Sequence, residues 1–153
     1  MSVAFRRDSD EEHREPRFEL PIPPGPNLVT PAGLAKTEAR IAELEQAVAA
    51  ETDATRLADL QRSLRYWKTR LATAQLAPTP RPGVVGIGSR VTFSHAGAVR
   101  TLTLVGHDEA DPEHGLVAFS APLARALIGA SVGDSADFAG EEDALEVVDI
   151  DAS

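Results

Sequence analysis

Two apolar stripes, each with members three and four residues apart, constrain this chain more than any other feature of its sequence. Spacing of this kind places the members of a stripe on one face of an α-helix, as in a heptad repeat. The remaining faces of both segments are rich in Glu, Arg and Gln, so each helix has a single apolar side. The stripes consist of Leu34, Thr37, Ile41, Leu44, Val48 and Glu51, and of Leu57, Leu60, Leu64, Trp67, Leu71 and Ala74.

The two stripes match each other when the helices run in opposite directions. The matched layers pair Ile41 with Trp67, Leu44 with Leu64, and Val48 with Leu60. Thr30 followed by Pro31 is a helix start, and Asp53 lies where it would cap the second helix. Each helix has about 21 residues and a length of roughly 31 Å. The sequence therefore predicts an antiparallel coiled-coil hairpin over residues 29–77, with its tip near Asp53 and Ala54.

Proline and glycine divide the rest of the chain. Residues 1–28 end in a proline-rich stretch that excludes helix and central strand, so we expect an extended, mobile arm. Residues 78–83 contain three prolines and a glycine and form a linker. Residues 84–153 then show the alternation of strands, with a hairpin turn at His95–Ala98 and one short helix over 122–128 that Gly129 ends. The predicted fold class is α+β: the coiled coil followed by a small antiparallel β domain.

Charge and composition exclude several classes of function. Residues 78–153 carry twelve acidic residues and four arginines, which repel nucleic-acid phosphates and suit a basic protein surface. Direct sequence-specific binding of nucleic acid is therefore not expected. The chain has no cysteine, no long apolar run and no apolar segment near its start. We expect a cytoplasmic monomer without disulfides, membrane contact or a secretion signal.

Candidate ligand sites in the sequence have more ordinary interpretations. Residues 107–114 contain two histidines and four carboxylates, which could bind a metal but fit a solvated acidic turn better. Residues 86–89 lack the third glycine of a nucleotide-binding loop. The second helix carries Arg62, Arg65, Lys68 and Arg70, and a solvated coiled-coil face explains them better than a nucleic-acid site. We therefore predict no metal and no cofactor.

Three segments resemble the bacterial GreA/GreB transcript-cleavage factors. Residues 105–111 read VGHDEAD and resemble the family's V-G-x-D-E-A-D segment. Residues 121–129 read APLARALIG and resemble its S-P-L/I-A-R-A-L-L/I-G signature, with alanine in place of the serine, and residues 29–34 resemble its N-terminal opening. The resemblance implies an FKBP-like C-terminal domain and binding at the secondary channel of bacterial RNA polymerase. The residues it places at the polymerase are Ala121, Pro122, Leu123 and Arg125.

The hairpin tip departs from the family pattern. Cleavage factors carry an acidic D-L-x-E-N tip that helps to hold a second Mg²⁺ in the polymerase, whereas the only acids here are Glu51, Asp53 and Asp59. The arm is also roughly three turns, or about 16 Å, shorter, as in the short-armed Rnk-type regulators. The resemblance therefore implies a non-catalytic polymerase-binding regulator rather than an enzyme. A cleavage factor acting through the three tip acids is the alternative, and an FKBP-like prolyl isomerase is a lower one.

Overall fold

The computed structural model of the chain describes residues 19–152 and contains the predicted helical hairpin. Helix α1 spans Pro31–Ala50 and helix α2 spans Ala54–Thr73, with 20 residues in each. The Thr30 side chain accepts a hydrogen bond from the backbone N–H of Gly33, and Asp53 accepts one from Arg56, so both predicted N-caps are confirmed. At 1.5 Å per residue each helix is about 30 Å long.

The two apolar stripes lie on the inner sides of the hairpin. Thr37, Ile41 and Leu44 are buried in α1, and every stripe position of α2 is at least half-buried. Lys68 of α2 and Glu45 of α1 approach to 3.6 Å between Nζ and Oε2, which is consistent with antiparallel neighbours. The residue-by-residue layer pairing stays a prediction.

A short parallel strand pair joins the two ends of the hairpin. Strand β1, Leu28–Val29, precedes α1 and pairs with strand β2, Gln75–Leu76, which follows α2. The sequence analysis did not predict this pair. Residues 1–18 of the predicted arm lie outside the described residues, and residues 19–27 contain neither helix nor strand. The arm meets the hairpin at Asn27, which is already buried.

Five strands form the sheet of the C-terminal domain: β3, Ser89–His95; β4, Ala98–Val105; β5, Leu116–Ala118; β6, Ser135–Phe138; and β7, Glu141–Ala152. Their order in the sheet is β5-β4-β3-β7-β6. The predicted turn at His95–Ala98 connects β3 to β4, and its two central residues, Ala96 and Gly97, both have positive φ. The sheet is mostly antiparallel, which confirms the predicted α+β fold class, but β4 and β5 are parallel. The loop between these two strands crosses back before the chain re-enters the sheet, and a parallel neighbour requires such a crossing.

The core of this domain lies between one face of the sheet and a short helix. Helix α3 spans Pro122–Leu127, one residue less than predicted, and Gly129 follows it with φ of 90°. Leu127 and Phe93 are fully buried, and the outward positions of β3 and β4 are more polar. Within the described part of the chain, none of the helices is long and apolar enough to cross a bilayer. The core consists of Val85, Val91, Phe93, Leu102, Leu104, Ala124, Leu127, Leu145 and Val147.

Candidate functional site

A buried ion pair connects the hairpin to the C-terminal domain. The Nε of Arg70, near the end of α2, donates to the Oδ2 of Asp108 at 2.6 Å, and the two side chains are only 2% and 14% exposed. A second guanidinium nitrogen of Arg70 donates to the Oδ1 of Asn27 at 2.7 Å. The amide nitrogen of Asn27 in turn donates to the backbone carbonyl of Arg70 at 2.8 Å. The arm, the hairpin and the domain thus meet at one arginine.

Tyr66 lies one helical turn before Arg70 and completes this network. Its hydroxyl donates to the Oδ1 of Asp108, so the carboxylate uses one oxygen for the phenol and the other for the guanidinium. Burial, followed by the hydrogen bond to Asp108 and the negative charge of that carboxylate, raises the pKa of Tyr66 from 10.0 to about 12, while Arg70 opposes the rise. Tyr66 therefore acts as a neutral donor at physiological pH.

A second set of hydrogen bonds joins the start of α1 to the same loop. The hydroxyl of Thr30 donates to the Oε1 of Glu109 at 2.6 Å while it caps α1. The Oε2 of Glu109 accepts from the backbone N–H groups of Thr30 and Gly106, at 3.3 and 3.2 Å. A Cβ on Gly33 would lie 2.2 Å from the Glu109 carboxyl, and one on Gly106 would lie 2.5 Å from the carbonyl oxygen of Leu28. Gly106 is thus required by its close approach to backbone, and a side chain at position 33 would displace the Glu109 carboxyl.

The two sets of contacts form one surface, which we call the hairpin–domain joint, and it corrects two expectations. Asp108 and Glu109 were expected in a solvated acidic turn, but both carboxylates bind partners across the joint. Arg70 was expected on the solvated outer face of the second helix, but it is buried. The pattern of charges on α2 could not show this, because the partners of Arg70 lie 38 and 43 residues away.

The rest of the acidic loop forms local contacts. The Nδ1 of His114 lies 2.7 Å from the Oδ2 of Asp111, and the Nε2 of His107 lies 2.6 Å from the Oγ of Ser120. The His107 ring also packs against Phe119. Across residues 19–152, no three or more His, Cys, Asp or Glu side chains gather in a group that could hold a metal ion.

The tip acids occupy two different places. Glu51 and Asp53 lie in the loop between the helices, whereas Asp59 lies within α2 and pairs with Arg62 at 3.2 Å. The Oε2 of Glu51 accepts from the backbone N–H groups of Thr52 and Asp53, at 3.1 and 3.0 Å. The Oδ2 of Asp53 accepts from the N–H of Arg56 at 2.9 Å. Both loop carboxylates therefore hold the tip turn in shape.

The four residues that the family resemblance implies at the polymerase lie at the start of α3. Ala121 is its N-cap residue and Pro122 its first helical residue. Leu123 packs partly against the domain core, whereas the Arg125 side chain is exposed. Pro122 and Arg125 thus offer a surface to a partner, and Leu123 supports the helix from beneath.

Known proteins are similar to this chain in the C-terminal domain and, with lower identity, over most of its length. The family model described as the C-terminal domain of the transcription elongation factors GreA and GreB matches residues 79–152. Transcription elongation factor GreA of Ruegeria pomeroyi is 29% identical over 151 residues, which cover 82% of this chain and 97% of that protein. Residues 79–152 belong to the GreA/GreB family. Because 82% of 153 residues is about 125, about 26 of the 151 aligned positions have no counterpart in this chain.

Two further GreA/GreB proteins are similar to this chain over different lengths. GreA of Verminephrobacter eiseniae is 40% identical over 76 residues, which cover 44% of this chain and 46% of its own length. A solved structure, the elongation factor GreA/GreB of Nitrosomonas europaea, is 21% identical with a TM-score of 0.40, over 80% of this chain and 97% of that one.

A cavity of about 660 Å³ lies where the hairpin base approaches the C-terminal domain. Strand β2 contributes Leu76, the linker contributes Pro80, the sheet contributes Val105 and Leu116, and α1 contributes Lys36. None of the residues that line this cavity is aromatic. FKBP-type prolyl isomerases, which the sequence analysis kept as a lower alternative, bind proline in an aromatic-lined pocket, and this cavity does not provide one.

Proposed function

We propose that this protein is a cytoplasmic regulator that binds bacterial RNA polymerase at the secondary channel as a monomer and does not stimulate transcript cleavage. The matches to proteins named transcription elongation factors support RNA polymerase as the partner. One observation supports the proposal that the protein does not stimulate cleavage. The tip carboxylates of Glu51 and Asp53 both accept backbone hydrogen bonds that hold the loop.

A carboxylate that assists metal-dependent hydrolysis must bind the metal directly, at about 2–2.5 Å. The Oε2 of Glu51 and the Oδ2 of Asp53 would lose their backbone N–H donors if these oxygens turned to bind a metal. The helices of 20 residues support the same conclusion, because a shorter hairpin ends further from the reacting metals. Electrostatic attraction across about 16 Å would be strongly screened, since the Debye length in physiological salt is about 8 Å.

The C-terminal domain supplies the polymerase contacts in this proposal. Arg125 and Pro122 are exposed at the start of α3, and Ala121 and Leu123 position that start. The acidic character of residues 78–153 favours a basic protein surface over nucleic acid. A cleavage factor that acts through Glu51 and Asp53 is the rival function, because both carboxylates do lie in the same tip loop.

Polymerase binding is tested with the full-length chain and purified bacterial core enzyme. Biolayer interferometry should show saturable binding, and Arg125→Glu should weaken it at least about tenfold, the loss expected for a contact worth about 1.4 kcal/mol. Arg90→Glu is the matched control, because it makes the same charge change at an exposed position of β3. Equal loss in both variants would assign the effect to net charge, and absence of binding by the wild-type chain would exclude the proposed partner.

A further inference from the structure

The cavity between the hairpin base and the C-terminal domain has walls from separate parts of the chain. The first turns of α1 form one wall, β2 and the linker form another, and β4 and β5 contribute a third. Thr30 and Glu109, which hydrogen-bond to each other in the hairpin–domain joint, also line it, so the joint holds these walls together. The volume of about 660 Å³ lies within the range of about 300–1,000 Å³ that is typical of small-molecule sites.

Most of the side chains that line this cavity are aliphatic or proline. Val105 is buried at the end of β4, Ile87 and Leu116 are half-buried, and Leu76 is 57% exposed. Leu76 is thus a large apolar side chain that the folded chain leaves more than half uncovered on this wall. Removing apolar ligand surface from water against such side chains is favourable. The cavity therefore suits a ligand with an apolar body.

One charged group on the cavity wall is available to a ligand. Among the described residues that line the cavity, Lys36 carries the one positive charge and Glu109 the one negative charge. The Glu109 carboxylate accepts hydrogen bonds at both oxygens, from Thr30 and from Gly106. Lys36 is exposed and has no carboxylate partner within residues 19–152, and none of the positions three and four residues away along α1 holds an acid.

We propose that this cavity binds a small amphipathic organic anion, with its apolar body against the aliphatic walls and a single carboxylate or sulfonate headgroup on the Nζ of Lys36. A cationic ligand would have to take Glu109 from the hydrogen bonds of the joint. A nucleotide is a poorer fit, because one ammonium would face several phosphate charges and no aromatic side chain lines the cavity to stack on a base. This inference goes beyond the proposed function and does not depend on it.

A matched pair of probes tests the site in the isotope-enriched full-length protein. Anilinonaphthalene sulfonate has an apolar body with one sulfonate, and N-phenylnaphthylamine has the same body without it. We expect saturable shifts of the amide signals of Ile87, Thr103 and Leu116, which come from separate segments of the cavity wall. The neutral compound should bind about fivefold more weakly, the effect of a strong exposed ion pair. Equal affinities, or sulfonate-induced shifts outside the cavity walls alone, would overturn the proposal.

The two lysines of the sequence provide a matched pair of variants. Lys36→Gln should weaken sulfonate binding about fivefold and leave binding of the neutral compound unchanged. Lys68→Gln makes the same substitution at an exposed position of α2 outside the cavity, and it should change neither affinity. Equal weakening in the two variants would assign the effect to net charge and overturn the role of Lys36.

Filling the cavity tests where the apolar body lies. Ala32 is exposed on α1 and lines the cavity, whereas Ala35 is exposed on the same helix and does not. Ala32→Trp should abolish the shifts that both probes cause, and Ala35→Trp should leave them in place. Unchanged dispersion of the remaining amide signals shows that each variant is folded. Shifts that persist in folded Ala32→Trp would overturn the proposal.

Discussion

Arg70 and Asp108 form a 2.6 Å ion pair between helix α2 and the C-terminal domain, and Arg70 is among the most buried polar residues of the described chain. The same guanidinium binds Asn27, and the same carboxylate accepts from Tyr66. A hairpin fixed at its base by such a network keeps its direction relative to the domain. Because a finger of about 30 Å magnifies any rotation at its base, the joint sets where the tip lies.

Loss of the ion pair should destabilise the protein strongly. Arg70→Ala leaves Asp108 and Asn27 without their charged partner, and removing one member of a buried pair typically costs about 3–5 kcal/mol. We expect a loss of about 3 kcal/mol in the free energy of unfolding. Urea titration followed by the fluorescence of Trp67, the one tryptophan in the sequence, measures it.

Arg65→Ala is the control for this prediction. Arg65 also pairs with a carboxylate, that of Glu19, but both side chains are more than half exposed. Exposed pairs contribute about 0–1 kcal/mol, so its free energy of unfolding should change little. Similar losses in the two variants would show that burial of the Arg70 pair does not add to stability.

The titration of Tyr66 should report on the joint directly. It is the one tyrosine in the sequence, so phenolate absorbance follows a single group. We expect a pKa of about 12 in the folded protein, mainly from burial and then from Asp108. In Asp108→Asn the pKa should fall towards 10.0, because the negative partner is gone. A pKa that stays near 12 in this variant would show that Asp108 does not contribute.

Linkage gives the expected pH dependence of stability. The folded-state pKa is raised, so between pH 10.0 and about 12 the unfolded chain has lost the phenolic proton while the folded protein retains it. This contribution to stability is complete below pH 10.0 and is lost as pH rises through the folded-state pKa. Urea titrations in that interval should show a steeper fall for the wild type than for Tyr66→Phe. Parallel curves would contradict the assignment.

The effect of Gly33→Ala on stability should depend on whether the Glu109 side chain is present. A Cβ at this position would lie 2.2 Å from the Glu109 carboxyl, which is held by Thr30 and Gly106, so Gly33→Ala should cost about 1–3 kcal/mol through the displaced hydrogen bonds. In a Glu109→Ala background the carboxyl that a Cβ at position 33 would meet is absent. Alanine is then favoured by about 1 kcal/mol inside a helix, so the same substitution should be neutral or stabilising. Thermal unfolding of the four proteins measures both effects, and equal costs in the two backgrounds would refute the contact.

A double-mutant cycle tests the register of the coiled coil. If Ile41 packs on Trp67, the two alanine substitutions should couple by at least about 0.5 kcal/mol. Trp67→Ala alone should cost about 3 kcal/mol, the lower end for tryptophan, because the indole is only half-buried. Ile41 with Leu57 is the control pair: Leu57 lies ten residues, or about 15 Å, from Trp67 along α2, so additive effects are expected there. Coupling in the control pair and not in the first would indicate a different register.

The sequence predicted those features that depend on neighbouring residues. The stripes and the caps at Thr30 and Asp53 are local signals. Both helices of the structure begin directly after these two N-cap residues. The turn at Ala96–Gly97 and the end of α3 at Gly129 are local as well.

What the sequence did not predict depends on distant partners. Burial of Arg70 requires Asp108 and Asn27. Strand β6, Ser135–Phe138, has only four residues and forms by pairing with β7. The segments of residues 29–34 and 105–111 resembled one family separately. That they meet through Thr30 and Glu109 follows only from the three-dimensional structure.

Cleavage of nascent RNA tests the central claim most directly. Saturating full-length protein is added to a backtracked elongation complex, and release of short 3′ RNA fragments is followed over time, with a GreA protein as the active standard and interferometry as proof of binding. The account predicts binding with a fragment-release rate equal to that of the polymerase alone, in the wild type and in Asp53→Asn, which keeps the cap of α2. Rapid release by the wild type that disappears in Asp53→Asn would contradict it and show that this tip carboxylate reaches the reacting metal.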